Sequence, residues 1–97
     1  MPKGYMISAH RSPADPKKAA AYKELAKPAL EAFGAKYLAA ADHVVAKENG
    51  VAERTILIEF ESFEAAVAAF ESDAYQEALR ALDGGADRDI RLFEGLE

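Results

Sequence analysis

Phe60–Gln76 reads FESFEAAVAAFESDAYQ, an alternating strand that stops at a serine, becomes an alanine-rich helix, and restarts at a second serine. Ser62 follows the alternating run Ile56, Ile58, Phe60 and is placed to accept hydrogen bonds from the free N–H groups of the next turn. Ser72 or Asp73 can do the same again just before Tyr75. The stretch therefore predicts a strand leading into a broken helix that spans residues 63 to 82.

Upstream, residues 4 to 11 alternate Tyr5, Ile7 and Ala9 with Met6, Ser8 and His10, the two-faced pattern of a first strand. Asp15-Pro16 supplies a capping carboxylate and a proline at the first helical position, and Gly34 a left-handed stop, so a first helix is expected over about 16 to 33. Its buried stripe is Tyr22, Leu25, Ala26, Ala29, Leu30 and Phe33, with Lys17, Lys18, Lys23, Lys27 and Glu31 largely outside. Pro28 costs on the order of 3 kcal/mol inside a helix. The apolar stripe continues past it, so a kink between Glu24 and Pro28 is expected instead of an end.

Lys36 to Glu48 reads as one long strand bent near Ala41-Asp42, with Asn49-Gly50 as the turn into a third strand at Arg54 to Glu61. Gly84-Gly85 closes the helical region, and Asp89 to Glu94 alternates as a fourth strand. The order is βαββαβ in one domain spanning residues 1–97, which predicts an α+β, ferredoxin-like fold with both helices on one face of a four-stranded antiparallel sheet. Ile56, Ile58, Phe60, Ile90 and Leu92 are expected under the helices. The other face would hold Leu57, Phe93 and either Met6 or Tyr5. An apolar face left in water is an association patch, so a homodimer through the sheet faces is expected, with a small-ligand pocket between sheet and helices.

Composition narrows the functional classes. A 97-residue chain buries roughly two thirds of its unfolded surface at best, so help from a partner subunit is plausible. Hydrophobic residues at 51% exclude a disordered tail, and no apolar run approaches the roughly 20 residues that cross a bilayer, so no membrane partner is expected. Met1-Pro2-Lys3-Gly4 leads directly into strand-like sequence without a secretion signal, which makes a cytoplasmic address the default expectation. The absence of cysteine excludes thiolate nucleophiles, disulfides and Cys-based metal sites. A net charge of −5 without a basic face argues against nucleic acid. No glycine-rich phosphate loop, nucleophile elbow or metalloprotease helix is present, and no cofactor is assigned.

The chain resembles the DUF1330 family, within the dimeric α+β barrel group, over nearly its whole length. The resemblance rests on Gly4-Tyr5, Asp15, Pro28, Gly34, Lys36-Tyr37-Leu38, Glu48 with Gly50, Phe60, Ala66, Phe70, Ser72, Tyr75-Gln76 and Arg80, in that order and spacing. It implies the fold and homodimerisation, and no particular activity. Where the family usually has a glycine pair after the start of the second strand, this chain has Ala41-Asp42, and Asp42 to Lys47 is more polar.

His10 and His43 are the groups that titrate near neutrality without perturbation. His10, at the end of the first strand and in phase with Met6 and Ser8, is the candidate catalytic base, oriented by Glu59 or Asp42 if register allows; the alternative is a structural hydrogen bond. A metal set of His10, His43 and a carboxylate lacks any close HxH or HxxxH spacing, so no metal is assigned. Tyr37, Glu59, Tyr75 and Arg80 are candidate substrate-binding residues. Arg80 could grip a carboxylate bidentately or simply pair with Glu77, and it lies roughly 140° around the helix from Tyr75. Tyr22, Tyr37 and Tyr75 also read as buried rings whose hydroxyls reach a polar edge. Asp87 to Arg91 reads as a solvated lead-in to the last strand, and Glu53-Arg54 as solvated hairpin flanks. Two functions follow: a small-metabolite binding or accessory protein, or a cofactor-independent oxygenase or isomerase acting on an aromatic or keto compound. A haem enzyme is disfavoured by the lack of tryptophan and of a clearly placed axial histidine.

Overall fold

A computed structural model describes residues 2–97; Met1 lies outside the described residues. Its elements are β1 (Gly4–His10), α1 (Pro16–Glu31), β2 (Lys36–Ala41), β3 (Thr55–Phe60), α2 (Phe63–Glu71), α3 (Asp73–Leu82) and β4 (Arg88–Glu94). The strands form one antiparallel sheet in the order β2-β3-β1-β4, as the ferredoxin-like arrangement requires.

Both serine caps are present. Ser62 accepts from the Ala65 N–H at 3.1 Å to start α2, and Ser72 accepts from the Tyr75 N–H at 3.2 Å to start α3. The Ser72 hydroxyl also donates to the Ala69 carbonyl at 2.7 Å, so one side chain closes α2 and opens α3. Asp15 caps α1 through the Lys18 N–H, and the helix runs through Pro28 to Glu31 before Gly34 turns it with φ +81°. Ala26, Ala29 and Leu30 of its stripe are buried, but Leu25 and Phe33, expected inside, are 44% and 37% exposed. The buried line follows 22, 26, 29 and 30, which leaves Leu25 on its flank.

The second strand is shorter than expected. β2 ends at Ala41, and residues 42–54 form an irregular loop instead of a tight hairpin. The turn within it centres on Glu48-Asn49, with Glu48 at φ 53° and the Gly50 N–H donating to the Lys47 carbonyl. Beyond Ala41 the sequence has no β3 partner left, because Ala41 already pairs with Thr55, the first residue of β3. Leu38 forms a bulge between the Tyr37–Ile58 and Ala39–Leu57 pairs.

Register sorts the sheet into two faces. Under the helices, successive cross-strand rows are Phe60–Gly4–Glu94, Ile58–Met6–Leu92, Ile56–Ser8–Ile90 and, at the open end, His10 opposite Arg88. The opposite face carries Tyr5, Ile7, Leu57 and Phe93, so Tyr5 and not Met6 is the outer residue; its ring stacks on Phe93 at 5.7 Å. The largest fully buried side chains are Tyr75, Phe60, Met6 and Leu30.

Gly4 is where sheet and helix come closest. A Cβ there would lie 2.2 Å from the Ser62 carbonyl oxygen and 2.6 Å from the Phe63 Cα. The small residues Ala66 and Ala69, fully buried, let α2 settle on β1, β3 and β4. α1 instead packs mainly on α3. The sheet area beneath α1, toward the β2 edge, is left uncovered by close packing, and a cavity forms there.

Candidate functional site

The cavity has a volume of about 660 Å³. Its floor is the inner sheet face at Met6, Ser8, Ile56 and Ile58; its roof is α1 at Ala19, Tyr22 and Ala26; Tyr37 and Ala40 of β2 close one side. The residues around it are mostly apolar; Ser8, His10, Arg54 and Arg88 lie toward the open end of the sheet, and Lys23, Lys27 and Glu31 of α1 with Lys36 of β2 complete its polar lining. At the open end the His10 backbone N–H donates to the Arg54 carbonyl at 2.9 Å, and His10 and Arg88 are register partners, so Arg54, just before β3, lies with His10 of β1 and Arg88 of β4 at one edge of the cavity.

Each of these groups has a distinct electrostatic situation. The His10 imidazole is held below its ordinary 6.5, first by burial and then by the Arg88 and Arg54 charges, against the opposing pull of Glu53 and Asp42. It is therefore predominantly neutral at neutral pH and available as a base. Arg54 pairs with Asp42 at 3.1 Å. Arg88 donates to the Tyr22 hydroxyl at 3.1 Å and lies 4.9 Å from the centre of its ring. Burial disfavours the Arg88 charge, but the Tyr22 and Tyr75 phenols outweigh that and hold its pKa above the ordinary value. Among the described residues no carboxylate lies within 4.0 Å of the Arg88 guanidinium nitrogens. Ser8 is only 2% exposed, and among the described residues its hydroxyl has no hydrogen-bond partner. A buried hydroxyl without a partner is uncommon, and this one lines the cavity.

The sequence-derived candidates divide around this cavity. His10 and Tyr37 line it; the Tyr37 phenol is pushed up to about 12, chiefly by burial, with Tyr22 and Glu31 adding repulsion. Tyr75 lies in the core, and its hydroxyl meets that of Tyr22 at 2.7 Å; burial pushes its phenol pKa up. It touches the site through Tyr22. Glu59 lies on the outer sheet face, 3.5 Å from the Tyr5 hydroxyl, and so is not the residue that orients His10. Arg80 is exposed and pairs with Glu77 on its own helix. Asp42 sits near His10 in a small adjoining recess, engaged with Arg54. His43 is exposed in the 42–54 loop, and among the described residues no group of three or more His, Asp or Glu side chains is arranged to hold a metal.

Arg88, Arg54 and Ser8 were not singled out from sequence. Arg88 is not a solvated lead-in: it opens β4 and is in phase with Ile90 and Leu92, which places it on the inner face. That parity was the available signal.

Fold and cavity together define a small α+β, ferredoxin-like protein with a chamber between its sheet and first helix. The chain belongs to the family described as "Domain of unknown function (DUF1330)", whose sequence profile matches residues 3–96. No functionally curated protein matches it. Among solved structures it is similar to RPA0582, a protein of unknown function from Rhodopseudomonas palustris, at 18% identity over 99% of this chain and 84% of that one, with a TM-score of 0.72. It is also similar to a putative antibiotic biosynthesis monooxygenase from Nitrosomonas europaea, at 16% identity over 98% and 99% of the two chains and a TM-score of 0.54. A third is SnoaB from Streptomyces nogalater, described as a cofactor-independent oxygenase, at 12% identity over 100% and 97% and a TM-score of 0.55. At these identities the likeness is one of fold.

Proposed function

We propose that the protein binds a small metabolite in the cavity between α1 and the sheet, as one subunit of a homodimer that pairs through its outer sheet faces. The observation that carries the reading is the cavity itself: about 660 Å³, mostly apolar around its walls, with a buried unsatisfied serine and a neutral-leaning histidine at one end. Ligand sites combine a largely apolar wall with a few convergent polar groups in this way. Tyr5, Ile7, Leu57 and Phe93 on the outer face supply the apolar patch for pairing. No helix among the described residues is long and apolar enough to cross a membrane, and a cytoplasmic setting belongs to the same proposal.

The test is a thermal-shift screen of small aromatic and keto compounds on the wild-type protein and on Ile56→Trp, which fills the cavity floor. A bound ligand raises Tm by mass action. Compounds that stabilise the wild type and not Ile56→Trp support the site; compounds that act equally on both place binding elsewhere and refute it.

A second reading has His10 as the base of a cofactor-independent oxygenase or isomerase. Its support is the depressed His10 pKa within the chamber. A neutral imidazole there could take a proton from a carbon next to a carbonyl; an isomerase would return it to another atom, and an oxygenase would need dioxygen as co-substrate. In this reading Tyr37 is a substrate-contacting wall residue, Tyr75 acts only through Tyr22, and Glu59 and Arg80 stand outside. His10→Gln should then abolish turnover of a bound compound while leaving its binding within a few-fold.

A further inference from the structure

We infer that the cavity's ligand is an apolar compound bearing a single carboxylate, gripped by Arg88 with the Ser8 hydroxyl and His10 beside it. The inference rests on the cavity reading above and adds the chemical class of what enters.

Arg88 is the central observation. Arg88 is half-buried at the cavity wall, and a guanidinium partly withdrawn from solvent is favoured by a carboxylate partner, because desolvating an unpaired charge is costly. Of the arginines near the cavity, Arg54 has its acid, Asp42 at 3.1 Å. Arg88 has none among the described residues; its partners are the neutral Tyr22 hydroxyl and ring. Asp89, next in sequence, points to the other face and pairs with Arg91. The position is not accidental packing at a surface. Tyr22 is held from behind by Tyr75, which is fully buried, so the guanidinium rests against a cavity-wall phenol that is itself anchored to the core.

Ser8 is an independent second observation. The residue is 2% exposed, its hydroxyl has no partner among the described residues, and it lines the same cavity one row deeper than Arg88. A carboxylate lying between these rows would accept from both and remove two uncompensated groups at once. A neutral ligand would leave the guanidinium unmatched. A phosphate dianion would call for more donors than the His10–Arg88 edge offers, since Arg54 is already engaged, Ile56 lies beside Ser8, the next row inward is Met6 and Ile58, and the cavity's lysines, Lys23, Lys27 and Lys36, stand on α1 and at the start of β2. Met6, Ile56 and Ile58 take the apolar body. The protein's net charge of −5 does not prevent this, because exposed charges beyond about 8 Å are largely screened at physiological salt.

The test is isothermal titration at pH 7 with two matched pairs, 2-naphthoate against 2-naphthamide and decanoate against decanamide. Each pair shares its body and differs in charge. The expected result is that, for the body that fits, the acid binds roughly tenfold or more tightly than the amide. Arg88→Gln should level the two, whereas Lys3→Gln, which removes a cation from an exposed pair with Glu61, should keep the preference. Acid and amide binding alike to the wild type overturns the carboxylate assignment while leaving the cavity reading intact. A preference that survives in Arg88→Gln overturns the role of Arg88. No binding by any of the four overturns both readings. The wild-type comparison needs no variant, so an Arg88→Gln protein that fails to fold does not rescue the inference.

Discussion

Replacing Tyr22 with phenylalanine removes one oxygen that joins the core to the cavity. In the native protein that oxygen is 2.7 Å from the Tyr75 hydroxyl and 3.1 Å from an Arg88 nitrogen. Two hydrogen bonds are lost, one of them to a charged donor, and the Tyr75 hydroxyl, on a side chain with no exposure, is left without this partner. A net neutral hydrogen bond contributes about 1 kcal/mol, and an abandoned buried hydroxyl costs about 1–3 kcal/mol. Arg88 also faces the cavity and regains some hydration, so the total should be about 2 kcal/mol, toward the low end of the sum. Tyr75→Phe should cost less, about 1 kcal/mol, because Tyr22 keeps Arg88 and leaves no core hydroxyl stranded. The double variant should be less destabilised than the two singles added together, with a coupling of about 0.5 kcal/mol or more. Urea unfolding reads all three, since an m-value of roughly 1–1.5 kcal/mol/M turns 2 kcal/mol into a midpoint shift well over 1 M. A Tyr22→Phe protein within 0.5 kcal/mol of wild type, or strictly additive singles, would refute the phenol pair as a coupled support for Arg88.

Three further outcomes are expected. Gly4→Ala drives a methyl into the Ser62 carbonyl, where the space is 2.2 Å, and should cost about 1–3 kcal/mol in the same unfolding assay as β1 and the start of α2 are forced apart. Phe93→Glu places a charge on the outer sheet face and should convert a dimer to a monomer by light scattering, with its circular dichroism unchanged; a wild type that is already monomeric at micromolar concentration would refute pairing through that face. His10 should titrate below 6.5 by NMR because burial, Arg88 and Arg54 outweigh Glu53 and Asp42. With the folded-state pKa depressed, the unfolded chain takes up the proton first as pH falls. The His10 contribution to stability is therefore constant above about 6.5 and declines as pH drops from there through the folded value. An anionic ligand beside it should raise that pKa, which the same NMR titration would register.

The elements that sequence predicted well are those fixed by local chemistry. Ser62, Ser72, Asp15 and Gly34 act on N–H and C=O groups within four residues, so their effect is visible without knowing the tertiary structure. Strand alternation likewise separated Ile56, Ile58 and Phe60 from Leu57, and parity alone would have put Arg88 on the inner face with Ile90 and Leu92. What could not be read is set by distances between elements. The end of β2 depends on where β3 begins, so the polar stretch after Ala41 looked like strand and is loop. Tyr75 and Arg80 were grouped as site candidates from one helix, yet the packing of α1 against α3 takes Tyr75 into the core and leaves Arg80 outside. The cavity arises because α2 rests on the sheet while α1 leans on α3, a difference in helix height that no periodicity encodes.

The most direct measurement is a crystal structure of the protein with the compound that gives the largest thermal shift. The account predicts density between α1 and the sheet, with its polar end in hydrogen-bond reach of Ser8, His10 or Arg88 and its apolar body over Met6, Ile56 and Ile58. A compound seated on the outer sheet face, or a chamber closed by the protein's own side chains, would contradict it.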